Sequence, residues 1–240
     1  MAIRFSLLVF TLNEIDGMRA VMPKIRSDWV DEIIIVDGGS TDGTIDYAQE
    51  MGYQIYVQKQ EGFRHAYCEI LERIDTDYII AFSPDGNSLP EKIPELIDRA
   101  KRGYEMVTCS RYLGEAKSYD DDIITAFGNW FFTKSINILH GASYTDAMVM
   151  YRAVHTSVFS RLALDDDAGF EIPERLFKTK ICLMPLLSIR AARVKLKTCE
   201  LAGDEPARIG GERKLKIVRW GLAYYFQIIY ELFSKIEKRI

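Results

Sequence analysis

Two short stretches place carboxylates where apolar runs end. In "EIIIVDGGSTDGT", residues 32–44, branched aliphatics run into Asp37, and three glycines fall in the next six residues. A carboxylate there can accept hydrogen bonds from a nucleobase N–H or a ribose hydroxyl, and glycine lets a backbone approach a flat ligand. The same residues also read as a turn that ends in a helix N-cap, with Ser40 or Thr41 capping. The segment lacks GxxxxGK[ST] and GxGxxG, which argues against a P-loop and against dinucleotide binding. In "YIIAFSPDGNS", residues 78–88, Asp85 and Asn87 offer two oxygens to a hard cation. Mg²⁺ and Mn²⁺ take few protein oxygens and complete their shells with phosphate and water. Pro-Asp-Gly is equally a turn tripeptide. A third polar set, Thr11, Asn13 and Glu14, follows "FSLLVF".

These groups need a frame that brings strand ends together. Short apolar runs at 5–10, 32–36, 53–57, 78–82 and 105–110 read as strands buried on both faces. Helix-length segments lie between them, around 15–26, 42–51, 63–75 and 90–102. That alternation predicts an α/β fold with a doubly wound, mostly parallel sheet. Right-handed crossovers set the strand C-termini along one edge, where ligands bind in open α/β sheets. After residue 110 a helix is expected at 123–140, a strand at "DAMVMYR" (146–152), helices at 153–163 and 170–178, and a half-exposed strand at "LSIRAARVKL" (187–196). The aromatic segment "GNWFFTKSINIL" reads as a core helix. Residues 201–212 form a Gly/Pro-bearing loop, and the tail from Arg213 is helical.

The chain has 240 residues and a net charge of −4, which excludes whole-molecule attraction to nucleic acid. Residues 208–240 hold eight Lys/Arg against three Glu, so a basic tail follows an acidic body. The four cysteines show no metal or disulfide spacing and read as reduced thiols. No signal peptide and no membrane-spanning run are expected, which points to a cytoplasmic location. The tail mixes Trp220, Tyr224, Tyr225, Phe226 and Phe233 with basic residues, which suits a helix lying in a membrane interface. A terminal helix packed on the domain or in a homo-oligomer is the other reading.

The stretches "FTLNE", "IVDGGSTDGT", "SPDGNSLPEKIPEL", "SRYLG", "YTDAMVMYRA", "GFEIPE" and "RIGGERKLK" resemble, in order and spacing, family 2 glycosyltransferases of the GT-A fold, dolichol-phosphate-mannose-synthase-like branch. The resemblance covers about residues 4–220. It implies a Rossmann-like nucleotide-sugar-binding half (1–110), an acceptor-side half (111–214) and a C-terminal amphipathic helix (215–240). It implies nucleotide contacts from Thr11, Asn13, Glu14 and Asp37. The family's DxD motif falls on Ser83 and Asp85, with Asn87 as a further metal ligand for Mg²⁺ or Mn²⁺. An RxxGGxxK loop sets Arg208, Arg213 or Lys214 near the diphosphate of the donor. Arg111 and Lys117 are the cations available to an acceptor phosphate.

Two departures bear on the chemistry. Ser83 replaces the first acidic ligand, and the segment after "SRY" is acidic where lipid-phosphate users carry arginines. A sugar-hydroxyl acceptor would need a general base. Glu171 is preferred, with Asp146 and Asp167 behind it. The resemblance thus implies an inverting transfer from a nucleoside-diphosphate sugar, UDP before GDP, to a lipid-linked glycan hydroxyl or a polyprenyl phosphate. The alternatives are a non-catalytic nucleotide-sugar-binding module and, less favoured, a nucleotidyltransferase.

Overall fold

The computed structural model describes residues 2–165, 167–210 and 217–236. Its strands are β1 (Phe5–Thr11), β2 (Glu32–Asp37), β3 (Gln54–Val57), β4 (Tyr78–Phe82), β5 (Met106–Ser110), β6 (Arg152–His155) and β7 (Thr198–Ala202). They form one sheet in the order β3-β2-β1-β4-β6-β5-β7. Only β6 runs against its neighbours; β5 returns to the sense of β4 and pairs in parallel with β7. The carboxyl ends of β1, β2, β4, β5 and β7 therefore share one edge, as expected for a mostly parallel, doubly wound sheet.

Successive side chains on a strand point to opposite faces. Along β1, Phe5, Leu7 and Val9 enter one apolar cluster while Leu8 and Phe10 enter the other. Helices α1 (Ile15–Val21), α2 (Thr44–Glu50) and α4 (Ile93–Lys101) cover the first face. Helices α3 (Phe63–Leu71), α6 (Ser157–Arg161), α7 (Glu171–Phe177), α8 (Leu183–Arg193) and α9 (Ile217–Tyr230) build the second side. Covering both faces is why these strands read as unbroken apolar runs.

Besides the helix expected at 153–163, which begins as strand β6 and is helical only over Ser157–Arg161, four expectations need correction. "DAMVMYR" is not a strand: the Asp146 carboxylate takes the amides of Met148 and Val149, which competes with ladder formation until Arg152. "LSIRAARVKL" lies mostly in helix α8, buried over Leu183–Ala191. Its polar Ser188 and Arg190 are inside with partners, so their polarity misleads as a surface signal. Strand β7 was not foreseen because it is only partly buried. The fourth correction concerns helix α5 (Ile123–His140), which has the expected bounds, with the Asp122 side chain capping Thr125 N at 2.8 Å and Gly141 left-handed at its end. It is not a core helix. Asn129, Thr133 and Ile136 are its buried residues, while Ile123 is 89% and Ile138 79% exposed, with Phe127 and Trp130 also turned out.

Helix α9 packs on α5, α7 and α8. The turn after it carries Glu231, fully buried, which receives Arg190 Nη2 at 2.9 Å and Arg193 Nη1 at 2.6 Å. Gln227 Nε2 donates to Gly169 O at 3.1 Å. Removing one partner of a buried pair leaves an uncompensated charge and costs about 3–5 kcal/mol. Glu231→Ala is therefore expected to lower the denaturation midpoint strongly. Phe233→Ala, at an 82% exposed position, should stay within about 0.5 kcal/mol of wild type. Equal midpoints for the two variants in urea would refute the clamp.

Candidate active site

The β2 loop is organised by Asp37. Its buried carboxylate accepts from Thr11 Oγ1 (2.7 Å), Gly39 N (2.8 Å), Ser40 N (2.7 Å) and Ser40 Oγ (2.6 Å). Those four donors fill roughly the four lone-pair sites of a carboxylate. Asp37 thus shapes the loop from beneath, and the residues turned to solvent are Leu12, Asn13, Gly39, Thr41 and Asp42. Asn13 sits in the left-handed region (φ 58°), a conformation asparagine tolerates. Its Oδ1 accepts from Thr41 N and its backbone N–H donates to Ser40 Oγ, so the β1 and β2 loops are stitched together. Asp42, not Ser40 or Thr41, serves the helix starts. It takes Thr44 N at 3.0 Å and Ile15 N at 3.1 Å. Burial opposes its charge, but these bonds outweigh it and hold the carboxyl below its usual range.

The β4 turn brings Ser83, Asp85 and Asn87 into one cavity of about 310 Å³. Two glycines make the turn possible. A Cβ on Gly17 of α1 would meet Pro84 O at 2.4 Å. Gly86 is left-handed (φ 95°), and a Cβ there would meet the Ile209 side chain at 2.7 Å. The 203–210 loop consequently rests on the turn, with Ile209 N bonded to Asp85 O at 2.8 Å. Arg208 follows: its Nη2 lies 3.0 Å from Asp85 Oδ2 and its Nη1 3.9 Å from Glu14 Oε1. Glu14, the Asp85–Asn87 turn and Arg208, from three distant parts of the chain, are thus brought together.

Among the described residues no three His, Cys, Asp or Glu side chains form a metal-ligand set. The oxygens here instead fit a cation shared with phosphate. Asp85 supplies a carboxylate, and the buried Asn87 Oδ1 has no hydrogen-bond partner among the described residues. Ser83, half-buried in the same cavity, adds a hydroxyl. Hard cations held by one or two protein oxygens and completed by phosphate suit such a donor set. Arg213 and Lys214, expected near the diphosphate, lie outside the described residues.

Arg111, at the end of β5, is enclosed by carboxylates. It donates to Asp146 Oδ2 through Nε (2.6 Å) and to Oδ1 through Nη2 (3.1 Å). Its Nη1 reaches Glu205 at 3.2 Å and lies 3.6 Å from Asp121. Burial disfavours the charge on Asp146, yet Arg111 outweighs it and keeps the carboxyl low. With both oxygens engaged and 1% exposure, Asp146 is a strut for Arg111 and its place as a base is withdrawn. Burial raises the Glu205 carboxyl against the pull of Arg111. Glu205 carried no sequence signal of its own. Lys117 is exposed and lines none of the cavities described here; its amide binds Asp204.

A second cavity, of about 430 Å³, opens beside the first, and Asn87, Arg111, Met148, Met150 and Glu205 line both. Its body is apolar, walled by Ile124 and Phe132 of α5, Pro185 of α8, and Trp220 and Tyr224 of α9. Trp220 also lines a third, open cavity of about 620 Å³ that holds Glu171, an exposed residue in the first turn of α7. Asp167 is bound instead to Arg64, a 3% exposed arginine of α3 that also pairs with Glu174 at 3.0 Å and stacks on Phe170. Burial opposes its charge, but Arg64 keeps the Asp167 carboxyl below its usual range. Neither Arg64 nor its role was legible in the sequence. The cysteines are free; burial pushes the Cys109 thiol up to about 12 and that of Cys182 to about 11, which makes them inert.

Comparison with known proteins accords with this geometry. An undecaprenyl-phosphate mannosyltransferase of Micrococcus luteus is 26% identical over 237 residues, covering 90% of this chain and 93% of that protein. Glycosyltransferase AglJ of Haloferax volcanii is 27% identical over 167 residues, 69% of this chain, and the match spans about half of AglJ (54%). Glucosyl-3-phosphoglycerate synthase of Mycobacterium tuberculosis, solved with Mn²⁺, UDP-glucose and phosphoglyceric acid, superposes with a TM-score of 0.67 at 14% identity, over 98% of this chain and 82% of that one. Its complex with UDP gives 0.64 at 16%, with the same coverage. Identities this low speak for the fold alone, which is the GT-A fold expected from the motifs. The model of glycosyl transferase family 2 matches residues 6–163, and the chain belongs to that family.

Proposed function

We propose that this protein is an inverting, metal-dependent glycosyltransferase. It moves a hexose-type sugar from a nucleoside-diphosphate sugar, UDP favoured over GDP, to a membrane-associated acceptor in glycan or polysaccharide biosynthesis. The observation that carries this reading is the junction of the two cavities. A polar one built on Asp85 and Asn87 meets an apolar one walled by α5, α8 and α9. A diphosphate in the first and an apolar chain in the second bring their reacting ends together beside Arg111 and Glu205. The relatives' names, which include an undecaprenyl-phosphate mannosyltransferase, support a lipid-borne acceptor. The UDP and Mn²⁺ complexes of the neighbours support the donor.

In this reading residues 1–110 serve the donor and 111–214 the acceptor, with α9 closing the acceptor wall. Asn13 and the loop shaped by Asp37 hold the base and ribose, with the buried Thr11 supporting Asp37 and Glu14 lying toward Arg208. Asp85 and Asn87 would hold the cation, with Ser83 beside them. When bound, Mg²⁺ or Mn²⁺ would neutralise charge on the departing diphosphate. Arg208 faces the same oxygens. Transfer by direct displacement forms the acceptor C–O bond as the bond from the anomeric carbon to the diphosphate breaks. A hydroxyl acceptor gives its proton to a base, for which Glu171 has the exposure and the shared Trp220 wall. A polyprenyl phosphate is already anionic and needs none.

The membrane surface is reached through α5 and α9. Phe127, Trp130, Leu222 and Tyr225 are exposed, Phe131 stacks near Tyr225 at 5.3 Å, and Lys134 and Arg219 flank them. Apolar and aromatic side chains rimmed by cations suit an anionic interface. Among the described residues no helix is long and apolar enough to cross a membrane. The reading places the protein peripherally on the cytoplasmic face. The alternative of a non-catalytic nucleotide-sugar-binding module is favoured by one feature, Ser83 where a carboxylate ligand is expected.

UDP with Mn²⁺ should raise the melting temperature more than GDP, CMP or dTDP, because a ligand of the native state stabilises it. Loss of charge stabilisation at the leaving group is worth about 10²–10³ in rate, so Asp85→Ala should lose sugar transfer by about that factor. Wild-type turnover in Asp85→Ala would sink the site, and nucleotide binding without any turnover would favour the binding-module alternative. The double variant Phe127→Ser, Trp130→Ser should keep its melting temperature and stop sedimenting with anionic liposomes. Unchanged sedimentation would remove the membrane face.

A further inference from the structure

The geometry points to Arg208 as a built-in counter-ion that occupies the Asp85 site until a nucleoside diphosphate arrives, so that cation and nucleotide bind synergistically. This rests on the proposed donor site. Asp85 is 5% exposed and its two oxygens are in use: Oδ2 faces Arg208 Nη2 at 3.0 Å and Oδ1 accepts from Asn87 N at 3.1 Å. A cation entering here alone must displace a guanidinium from the only carboxylate of the turn. Two like charges compete for one anion, and a displaced guanidinium must turn to Glu14, 3.9 Å from Nη1, or to Asp120, whose Oδ1 lies 3.4 Å from Arg208 N. Cation binding to the free protein is therefore weak.

Arg208 is also poised to leave. Its Nε is buried without a hydrogen-bond partner among the described residues. A guanidinium carries five N–H donors in a fixed fork that matches phosphate oxygens. A diphosphate beside Asp85 supplies acceptors that the Nε lacks at present. The backbone need not follow, because Ile209 N is tied to Asp85 O at 2.8 Å and Arg208 N lies 3.4 Å from Asp120 Oδ1. The side chain alone swings, trading one oxygen of Asp85 for the diphosphate and releasing the carboxylate. By linkage, whatever factor the nucleotide adds to cation affinity, the cation adds to nucleotide affinity. This arrangement would also temper the loss of the first acidic ligand at Ser83, since the cation meets the site only with phosphate oxygens present.

The test is Mn²⁺ binding to the full chain without nucleotide, read from the electron paramagnetic resonance signal of free Mn²⁺. Arg208→Gln removes the competing charge and should tighten Mn²⁺ by about tenfold, within the usual 5- to 150-fold range of coupling between sites. Arg208→Lys keeps a cation and should remain near wild type, which separates charge from damage to the fold. Asp85→Asn combined with Arg208→Gln should lose the gain. Adding UDP, corrected for its own Mn²⁺ affinity, should tighten Mn²⁺ in wild type and much less in Arg208→Gln. Equal nucleotide-free affinity in wild type and Arg208→Gln overturns the counter-ion. If UDP still raises the melting temperature in that case, the transferase reading stands without it. Absence of any UDP effect on wild type would instead count against the donor site itself.

Discussion

Amides leaving the sheet at its carboxyl edge need acceptors, and the rest of the site depends on how that need is met. Each strand end releases N–H groups from the ladder, and a buried one left unpaired is costly. Aspartates meet several of them, along with amides of the helix starts beside them. Asp37 holds Gly39 and Ser40, Asp42 holds Ile15 and Thr44, Asp85 holds Asn87, and Asp146 holds Met148 and Val149. The carboxylates that make this edge look like a ligand site are thus first of all the parts that fold it. What they leave over decides the chemistry. Asp37 and Asp146 are saturated, whereas Asp85 spends one oxygen on the backbone and the other on the guanidinium of Arg208.

That division explains which parts of the molecule were legible. The central strands were, because burial on both faces writes unbroken apolar runs. Helix α5 was bounded correctly because Asp122 and Gly141 sit at its ends as cap and stop. The identity of α8 was not, since its buried Ser188 and Arg190 imitate the polar positions of a half-exposed strand. Their partners, Arg152 and Glu231, lie 36 and 41 residues away. The site was legible where one turn carries it, as at Ser83, Asp85 and Asn87. It was illegible where pairs cross the chain: Arg111 with Glu205, 94 residues apart, or Arg64 with Asp167, 103 apart. Asp146 looked like a base because a sequence shows an acid but not the arginine that neutralises it.

Helix α5 shows the opposite mismatch. Its composition is that of a buried helix, yet its inward face is Asn129, Thr133 and Ile136. Thr133 is spent on the amide of Ala147 at 3.1 Å, which fixes the segment leading from Asp146 to β6. The polar inward face and the aromatic outward face thus do different work. One orders the backbone beside Arg111, and the other is exposed.

Helix α9 joins these two demands. Trp220 and Tyr224 wall the apolar cavity, Tyr224 Oη receives the amide of Cys182 at 3.0 Å, and Leu222 and Tyr225 are turned outward. Its C-terminal end is fixed by the Arg190, Arg193 and Glu231 cluster, one of the most deeply buried charge groups among the described residues. The same helix therefore carries both the cavity wall and the outer face, and the buried ions that look like a liability for stability fix its C-terminal end against α8.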